Sequence, residues 1–536
     1  MAYVHVLNVQ IRFLIDFCIT NHSVFYSTFY NFCFSSLVPA MGAVKKVTKV
    51  RLEDYLKLGW YSLLICVMNE VMLVGVVGNI MYMVYAGSSP KILSCGSHDL
   101  AHLASPKLAC SHLKTLQSNS SCQVELSSEF GSVNKEWNYL CEGAISVKNS
   151  ISIQMAGIMI GSILFGQMSD MYGRKPTMLV CMFGCAVLNI ASSFTHTLVW
   201  FTLCRTLIGM LTGGHIVVSI VYIVENLPKQ HRFWICTIIT WSPNMAIAAG
   251  MAYLCGDWQN FARVLGVVVI PGFCLCLYVF ESPRFLIRKG NIDEARRVMT
   301  GILAFDRTVD YDKDQLDEVL EKEYQLVMQS SGIQNYHLLH VFSTWTFIRY
   351  MFAVSFGFFS LSVINYGLLF NMETVSGSLF MNNFYVGIIR WSINLVVAFV
   401  EYRTKSLGRK KVHFLGGAPI ILCSLFLFII AVLGKQTEFA MYTRVAIMIV
   451  CGVISQLYIT NGVVSNELFP TSIRNLAFSF SQFMNRLGAV ASPQLFYLAD
   501  LWTPLPYLTM AVLAILDLVF FEIFVPETKG KSLSGR

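Results

Sequence analysis

The sequence predicts an all-α integral membrane protein in which twelve spanning helices form two pseudo-symmetric six-helix bundles. Three observations lead there: a composition suited to lipid, a regular succession of apolar segments, and a set of landmarks that occurs twice. Of the 536 residues, 55% are hydrophobic and 13% charged, against roughly 25% charged in an average soluble domain.

About twelve segments approach the roughly 20 apolar residues that cross a bilayer. They fall at 58–86, 148–168, 176–194, 197–223, 233–254, 262–281, 346–370, 378–401, 412–433, 441–462, 473–498 and 504–526. Basic residues gather in the loops of one side. Lys45, Lys46, Lys49 and Arg51 precede the first segment, Arg174 and Lys175 follow the second, and Lys229 and Arg232 follow the fourth. Arg403, Lys405, Arg409, Lys410 and Lys411 follow the eighth, and Lys529, Lys531 and Arg536 the last. Positive loops stay cytoplasmic, so an even number of crossings puts both termini in the cytoplasm of a multi-pass plasma-membrane protein. The net charge of +8 then follows from topology, with the lipid bilayer as partner. A nucleic-acid partner would need those charges on one soluble face.

The domains follow from the segments. A cytoplasmic region, 1–57, precedes an N-terminal bundle at 58–281; residues 1–40 lack the layout of a signal peptide and are expected to lie outside the fold. A polar linker at 282–345, with helical periodicity and mixed charge in "NIDEARRVM" and "YDKDQLDEVLEKEYQLVMQ", leads to a C-terminal bundle at 346–526 and a cytoplasmic tail at 527–536. The large loop 87–147 is extracellular on this topology. Its Cys95, Cys110, Cys122 and Cys141 predict two disulfides, with three pairings open. Asn119, in "NSS", is a glycosylation acceptor on the same side. The other cysteines lie mainly in apolar segments and read as small buried hydrophobes.

The duplication is seen in short motifs. "VENLPKQHRF" and "SNELFPTSIRN" share E-x-x-P-x-x-x-R, through Glu225, Pro228 and Arg232 and then Glu467, Pro470 and Arg474. Each follows an apolar segment opened by an arginine, Arg205 or Arg444. "GRK" starts at Gly173 and again at Gly408, and Pro283 is answered by Pro526. The offsets are roughly 235 to 243 residues, in the same order and on the same side, as a duplicated six-helix unit requires. Parallel repeats of this kind place a substrate site at the membrane midplane between the halves.

These residues also carry a family resemblance. The paired GRK loops, the two E-x-x-P-x-x-x-R turns and the "PETKG" ending resemble sugar porters of the major facilitator superfamily. "EWNYLC", "ESPRFLIRKGNIDEARRVM" and "NELFPTSIRNLAFSFSQFMNRLGAVASP" resemble the organic cation, organic anion and carnitine transporters. The likeness runs from about residue 55 to 533 and implies the major facilitator fold.

In that family the GRK loop is understood to close the cytoplasmic side. Asp170 is placed to accept from Arg174 or from a facing helix end, and such charge-assisted bonds can latch two halves together. The expected gate comprises Asp170, Gly173, Arg174, Arg205, Glu225, Arg232, Arg409, Arg444, Glu467 and Arg474. Glu225 is expected to pair with Arg232, and Glu467 with Arg474. Where the second half should carry the matching acid it has Lys405, so the latch is expected to be asymmetric and to rest on the first copy.

Charged side chains inside apolar segments point to the cavity, since each costs about 2.5 to 3.5 kcal/mol to insert. Arg486, Arg390 and Glu70 are of this kind. The resemblance places Arg486 against the substrate, where anion and carnitine carriers have arginine and polyspecific cation carriers an acid. Arg390 departs from the family, which has a glutamate followed by proline nearby. The alternatives are a structural pairing of Arg486 with Glu70 or a backbone carbonyl, and an Arg390 that snorkels or pairs outside the cavity. Tyr366 and Asn365 offer an aromatic wall and a polar contact, and Gln482 lies one turn before Arg486.

Taken together, these features predict a secondary-active carrier of small organic ions, namely organic anions or carnitine-like zwitterions, working by alternating access. The rivals are an organic cation or sugar carrier of the same fold, and a transport-incompetent receptor or scaffold. A coupling ion is a further partner. No phosphate loop or metal spacing is found, so no cofactor, metal or catalytic set is expected.

Overall fold

The computed structural model describes residues 52–528 except 57, 101–105, 120–121, 229–234, 236–238, 308–311, 332–340, 405–407 and 471–472. Among them run the twelve helices of the bundle: α1 (Trp60–Ala86), α2 (Ala144–Tyr172), α3 (Arg174–Ser192), α4 (Leu198–Asn226), α5 (Trp241–Cys255) and α6 (Trp258–Tyr278), then α7 (Trp345–Phe370), α8 (Leu379–Arg403), α9 (Arg409–Val432), α10 (Ala440–Leu468), α11 (Arg474–Ala491) and α12 (Leu505–Phe524). Ten are long and apolar enough to cross a membrane. The other two are α5, with 15 residues, and α11, whose Ser481, Gln482, Asn485 and Arg486 dilute its apolar character. A 3-10 turn, Ser492–Tyr497, and a short helix, Leu498–Leu501, follow α11, so the segment expected at 473–498 is broken at its end. The extension 1–40 and most of the tail lie outside the described residues.

Small residues set the helix spacing. Gly157 and Gly161 on α2 face Gly209 and Gly213 on α4, so that a Cβ on Gly161 would sit 1.9 Å from the Met210 carbonyl and one on Gly213 2.1 Å from that of Ile158. Two small-xxx-small stripes thus bring the backbones into contact, the arrangement that lets helices associate where lipid removes the hydrophobic drive. Gly488 on α11 does the same against Phe359 of α7. Large side chains such as Phe183, Phe399, Leu422 and Ile523 point outward, as they do when the solvent is lipid.

The halves meet where α5 packs on α8 and α2 on α11. Gly387 allows the first contact, since its Cβ would lie 2.9 Å from the Ser242 carbonyl. On one side of the bundle the long loop forms an antiparallel sheet in the order β2-β1-β3 from Lys91–Cys95 (β1), His98–Asp99 (β2) and Val124–Ser127 (β3). Cys95 pairs with Cys122, tying β1 to the start of β3, and Cys110 pairs with Cys141, tying helix Pro106–Asn119 to the turn entering α2. The Asn119 side chain lies outside what is described.

The opposite side carries the GRK turns and the linker helices Pro283–Arg288, Ile292–Phe305 and Lys313–Ser331. Ile292–Phe305 buries Ala295, Val298, Met299, Ile302 and Leu303 on one face, the amphipathic pattern of a helix lying on a larger body. Asp306, at its end, accepts the Tyr61 amide at 2.7 Å and so satisfies one of the free N–H groups that open α1. Burial holds its carboxyl above the ordinary carboxylate range.

Candidate functional site

The two GRK turns build two matching networks. Gly173 has φ +116°, so the chain turns sharply between α2 and α3 and Arg174 becomes the first residue of α3. Its guanidinium is buried and donates to the Ser169 carbonyl at 2.8 Å, to Asp170 at 2.9 Å and to both oxygens of Glu225 at 3.2 and 3.3 Å. Glu225 also accepts from Arg288 of the linker at 2.8 Å. In the second half Arg409 donates to both oxygens of Glu401, at 2.7 and 2.8 Å, and to Glu467 at 3.3 Å. A fork-shaped cation held by two carboxylates on neighbouring helices is what the planar guanidinium is suited to.

A carboxylate caps each turn. Glu281 accepts the Lys175 amide at 3.0 Å, and Glu527 accepts the amides of Arg409 and Lys410 at 2.8 and 3.2 Å. Both caps sit at helix N-termini, where exposed N–H groups favour an anion. They also press on the glycines, since a Cβ on Gly173 or Gly408 would lie 2.4 or 2.1 Å from the capping oxygen.

Several gate expectations are corrected. The second copy does not lack an acid: Lys405 lies outside the described residues, and Glu401, near the C-terminal end of α8, supplies the carboxylate. The networks also do not latch the halves to each other. Asp170, Arg174 and Glu225 belong to the first half, and Arg409, Glu401 and Glu467 to the second, so each network ties together helices of its own bundle. Arg205 is not at the gate. It lies near the far end of α4, and at 1.5 Å per residue it is about 30 Å from Glu225. There it is fully buried, donating to Gln154, Asn189 and the Asn79 carbonyl and lying 4.0 Å over the Tyr82 ring. Arg444 likewise opens α10 at the disulfide side, against Gly377. Glu467 bonds Arg409 and Thr528 rather than Arg474, which donates to the Phe469 carbonyl at 3.3 Å. Arg232 lies outside the described residues.

At mid-membrane, Arg390 is buried on α8. It donates to the Cys451 carbonyl of α10 at 2.8 Å, to Met245 Sδ of α5 at 3.1 Å and to Asn365 of α7. Two of the expected residues, Arg390 and Asn365, are thus in direct contact, and through Met245 the arginine bridges the two halves. The snorkelling alternative fails, because the guanidinium is enclosed; no carboxylate is among its partners. Tyr366 and Tyr458 lie within electrostatic reach of it. Arg486, half-buried in the middle of α11, acts on the same Tyr458. Its guanidinium forms no hydrogen bond or ion pair among the described residues, so it pairs neither with Glu70 nor with a carbonyl. Gln482 accepts from Asn485 at 3.2 Å on the same helix, and Tyr366 stacks on Phe370. In the first half, Glu70 of α1 accepts from Asn244 of α5 at 3.0 Å, and its second oxygen is buried without a partner among the described residues.

The disulfide side holds a rim that the sequence reading missed. Lys148 of α2 reaches Asn371 at 2.6 Å and Glu373 at 3.6 Å, and Glu373 also accepts the Ser89 amide at 2.8 Å. Glu129 accepts the Ser378 hydroxyl and the Leu379 amide at 2.8 and 2.9 Å, capping α8 from the other half. Phe380 stacks on Tyr85 at 5.6 Å. Here the halves are joined. None of these residues belongs to a repeated motif, which leaves only the polar spots beside the apolar segments as a signal.

Comparison with known proteins bears on the family and the fold. A family model described as sugar (and other) transporter matches residues 112–535. The organic cation transporter protein of Drosophila melanogaster is 27% identical over 434 residues, covering 77% of this chain and 75% of its own. The organic cation/carnitine transporter 2 of Homo sapiens is 26% identical over 416 residues, covering 74% and 70%. Among solved structures, the inward open conformation of the xylose transporter XylE from E. coli superposes with TM-score 0.61 at 16% identity, over 88% of this chain and 98% of that one; this likeness bears on fold alone.

Proposed function

This chain belongs to the sugar (and other) transporter family, and from that premise we propose that it carries small organic ions bearing a carboxylate, carnitine-like zwitterions in the first place, across the plasma membrane by alternating access. It is a multi-pass membrane transporter of small organic solutes and not an enzyme. The finer reading rests on one observation, the unpartnered Arg486 guanidinium in the middle of α11. A half-buried cation without a counter-ion inside a membrane bundle carries a desolvation cost, and a solute carboxylate docking on it in two-point fashion would offset that cost. Arg390, enclosed and without a carboxylate, adds to the positive potential but acts as a positioning residue through Asn365 and Met245. Gln482 and Tyr366 flank the docking point. Glu70 of the first half, whose second oxygen has no hydrogen-bond partner among the described residues, is the acid that we assign to the cationic end of a zwitterion.

A second reading, a carrier of simple organic cations, is favoured by the same free Glu70 oxygen and by the names of the relatives. On either reading both termini are cytoplasmic and the GRK side faces the cytoplasm. Uptake of a labelled panel of cations, zwitterions, carboxylates and hexoses into vesicles holding the full chain separates the two. Wild-type uptake of carboxylate-bearing solutes that Arg486→Gln abolishes supports the first reading. Uptake confined to simple cations and insensitive to Arg486→Gln overturns it, and absence of counterflow for every solute overturns transport itself.

A further inference from the structure

Among α7, α9, α10 and α12 lies a buried polar cluster that the transport reading does not use. His413 of α9 and Asp517 of α12 are both enclosed, with Nε2 and Oδ2 3.6 Å apart. The imidazole stacks on Phe521 of α12, which fixes its plane. Asn461 of α10 is fully buried, and neither of its amide atoms has a partner; Asp517 Oδ1, both ring nitrogens of His413 and Ser465 Oγ are likewise unsatisfied. Gly357 of α7 closes the group, because a Cβ there would lie 2.6 Å from Asp517 Oδ1 and 2.8 Å from Asn461 Nδ2. Four helices therefore converge on one carboxylate, and the position nearest to it carries no side chain.

Buried polar groups are almost always hydrogen-bonded, and a cluster of unsatisfied ones marks either strain or a place for something that comes and goes. An ionisable side chain inside a membrane bundle marks a functional site in the same way. We propose that His413 and Asp517 form a proton site that couples transport by this chain to a proton gradient. This rests on the transport reading given above and adds the co-transported ion. Without the proton the pair is a carboxylate and a neutral imidazole, with one net negative charge in the bundle. A proton delivered from water on one side enters the 3.6 Å gap and forms a single N–H or O–H bond, so the pair becomes neutral overall. Its release to the other side restores the charge. The two groups titrate as a unit.

A proton suits the site better than a hard metal cation. Such ions need about six or more oxygen ligands, whereas this cluster offers the Asp517 carboxylate and the Asn461 amide oxygen beside an imidazole. The helices packed on α12 are α9 and α7. From α9 the titratable group facing Asp517 is His413; α7 presents Gly357, and Asn461 of α10 does not titrate. Lys410 of α9 and Glu522 of α12 pair with each other at 3.6 Å toward the GRK side. His413 lies one turn from Arg409 on the same helix face, so the charge state of the site bears directly on the network that ties α8, α9 and α10 together.

The test uses the full chain reconstituted in vesicles, with wild type, Asp517→Asn and His413→Gln checked for folding by size-exclusion profile. An inward gradient of about one pH unit should raise steady-state accumulation by up to about tenfold for one proton per solute, and each substitution should remove that stimulation. In purified wild type, infrared titration should show a carboxyl band that Asp517→Asn lacks and His413→Gln shifts. Stimulation retained in both variants, stimulation by a sodium gradient in place of a proton gradient, or infrared titrations identical in all three proteins would overturn the proposal. Wild-type counterflow without any proton effect refutes this inference and leaves transport standing, whereas absent counterflow refutes the transport reading and the infrared result decides the proton site by itself.

Discussion

Lys148 and Glu373 face each other across the two halves at 3.6 Å, on the side of the disulfides, and both are largely enclosed. Burial holds the Glu373 carboxyl above the ordinary carboxylate range, against the pull of Lys148. Its folded value is the higher one, so the folded rim binds a proton that the unfolded chain has released. Stability from this group therefore rises as pH falls through the folded value towards the unfolded one, and is lost as pH rises. Glu373→Gln should flatten that slope. Lys148→Met strands a buried carboxylate and should cost about 3 kcal/mol at neutral pH. Thermal unfolding of the three proteins across pH checks both, and a Lys148→Met protein as stable as wild type would refute the account.

The GRK turns differ in backbone although their caps match. Gly173 combines positive φ with a capping oxygen 2.4 Å from a would-be Cβ, whereas Gly408, at φ −77°, has only the crowding. Gly173→Ala should therefore destabilise more than Gly408→Ala, by about 1 kcal/mol or more for the left-handed strain alone. Removing the cap with Glu527→Ala should recover part of the Gly408→Ala loss and none of the Gly173→Ala loss. Melting temperatures of the single and double variants decide the matter.

Arg409 holds Glu401 and Glu467 with two guanidinium nitrogens, so a lysine there keeps the charge and loses the fork. A double-mutant cycle between Arg409→Lys and Glu401→Gln should give a coupling of about 1.5 to 3 kcal/mol, the range for charge-assisted hydrogen bonds. Additive effects would mean that Glu401 is not the working acid of the second copy.

The two disulfides close loops with sequence separations of 27 and 31 residues, so each should stabilise the long loop between α1 and α2 by about 3.5 kcal/mol in the chain-entropy account. Replacing Cys95 and Cys122 by serine should make the β1–β3 region sensitive to protease while the bundle melts as before. Unchanged proteolysis would show that the sheet holds without its cross-link.

Architecture was legible because lipid imposes a simple rule: ten of the twelve bundle helices are long apolar runs, and a duplicated chain shows the run twice. The charged networks at the GRK turns were legible only to the level of the helix. Arg205 and Glu225 belong to one repeated segment, but a helix that spans the membrane separates its two ends, and the motif does not say which end a residue serves. Glu401 carries no motif signal of its own: the position three residues before the second GRK is Lys405, and it is the end of α8 at Arg403 that leaves Glu401 within reach of Arg409. The disulfide-side rim was invisible for a different reason. Lys148 and Asn371 lie 223 positions apart, and a contact between the halves leaves no periodic trace in either.

Asp306 holds the opening turn of α1, and Arg288 holds Glu225 at the end of α4. The segment after α6 is therefore fastened at two points to the first bundle, and as the bundles rock it should travel as part of that bundle. A fluorophore on an outward position of Ile292–Phe305 would then work as a pointer for the first bundle, reporting its swing against a second dye on α9 without touching the solute path.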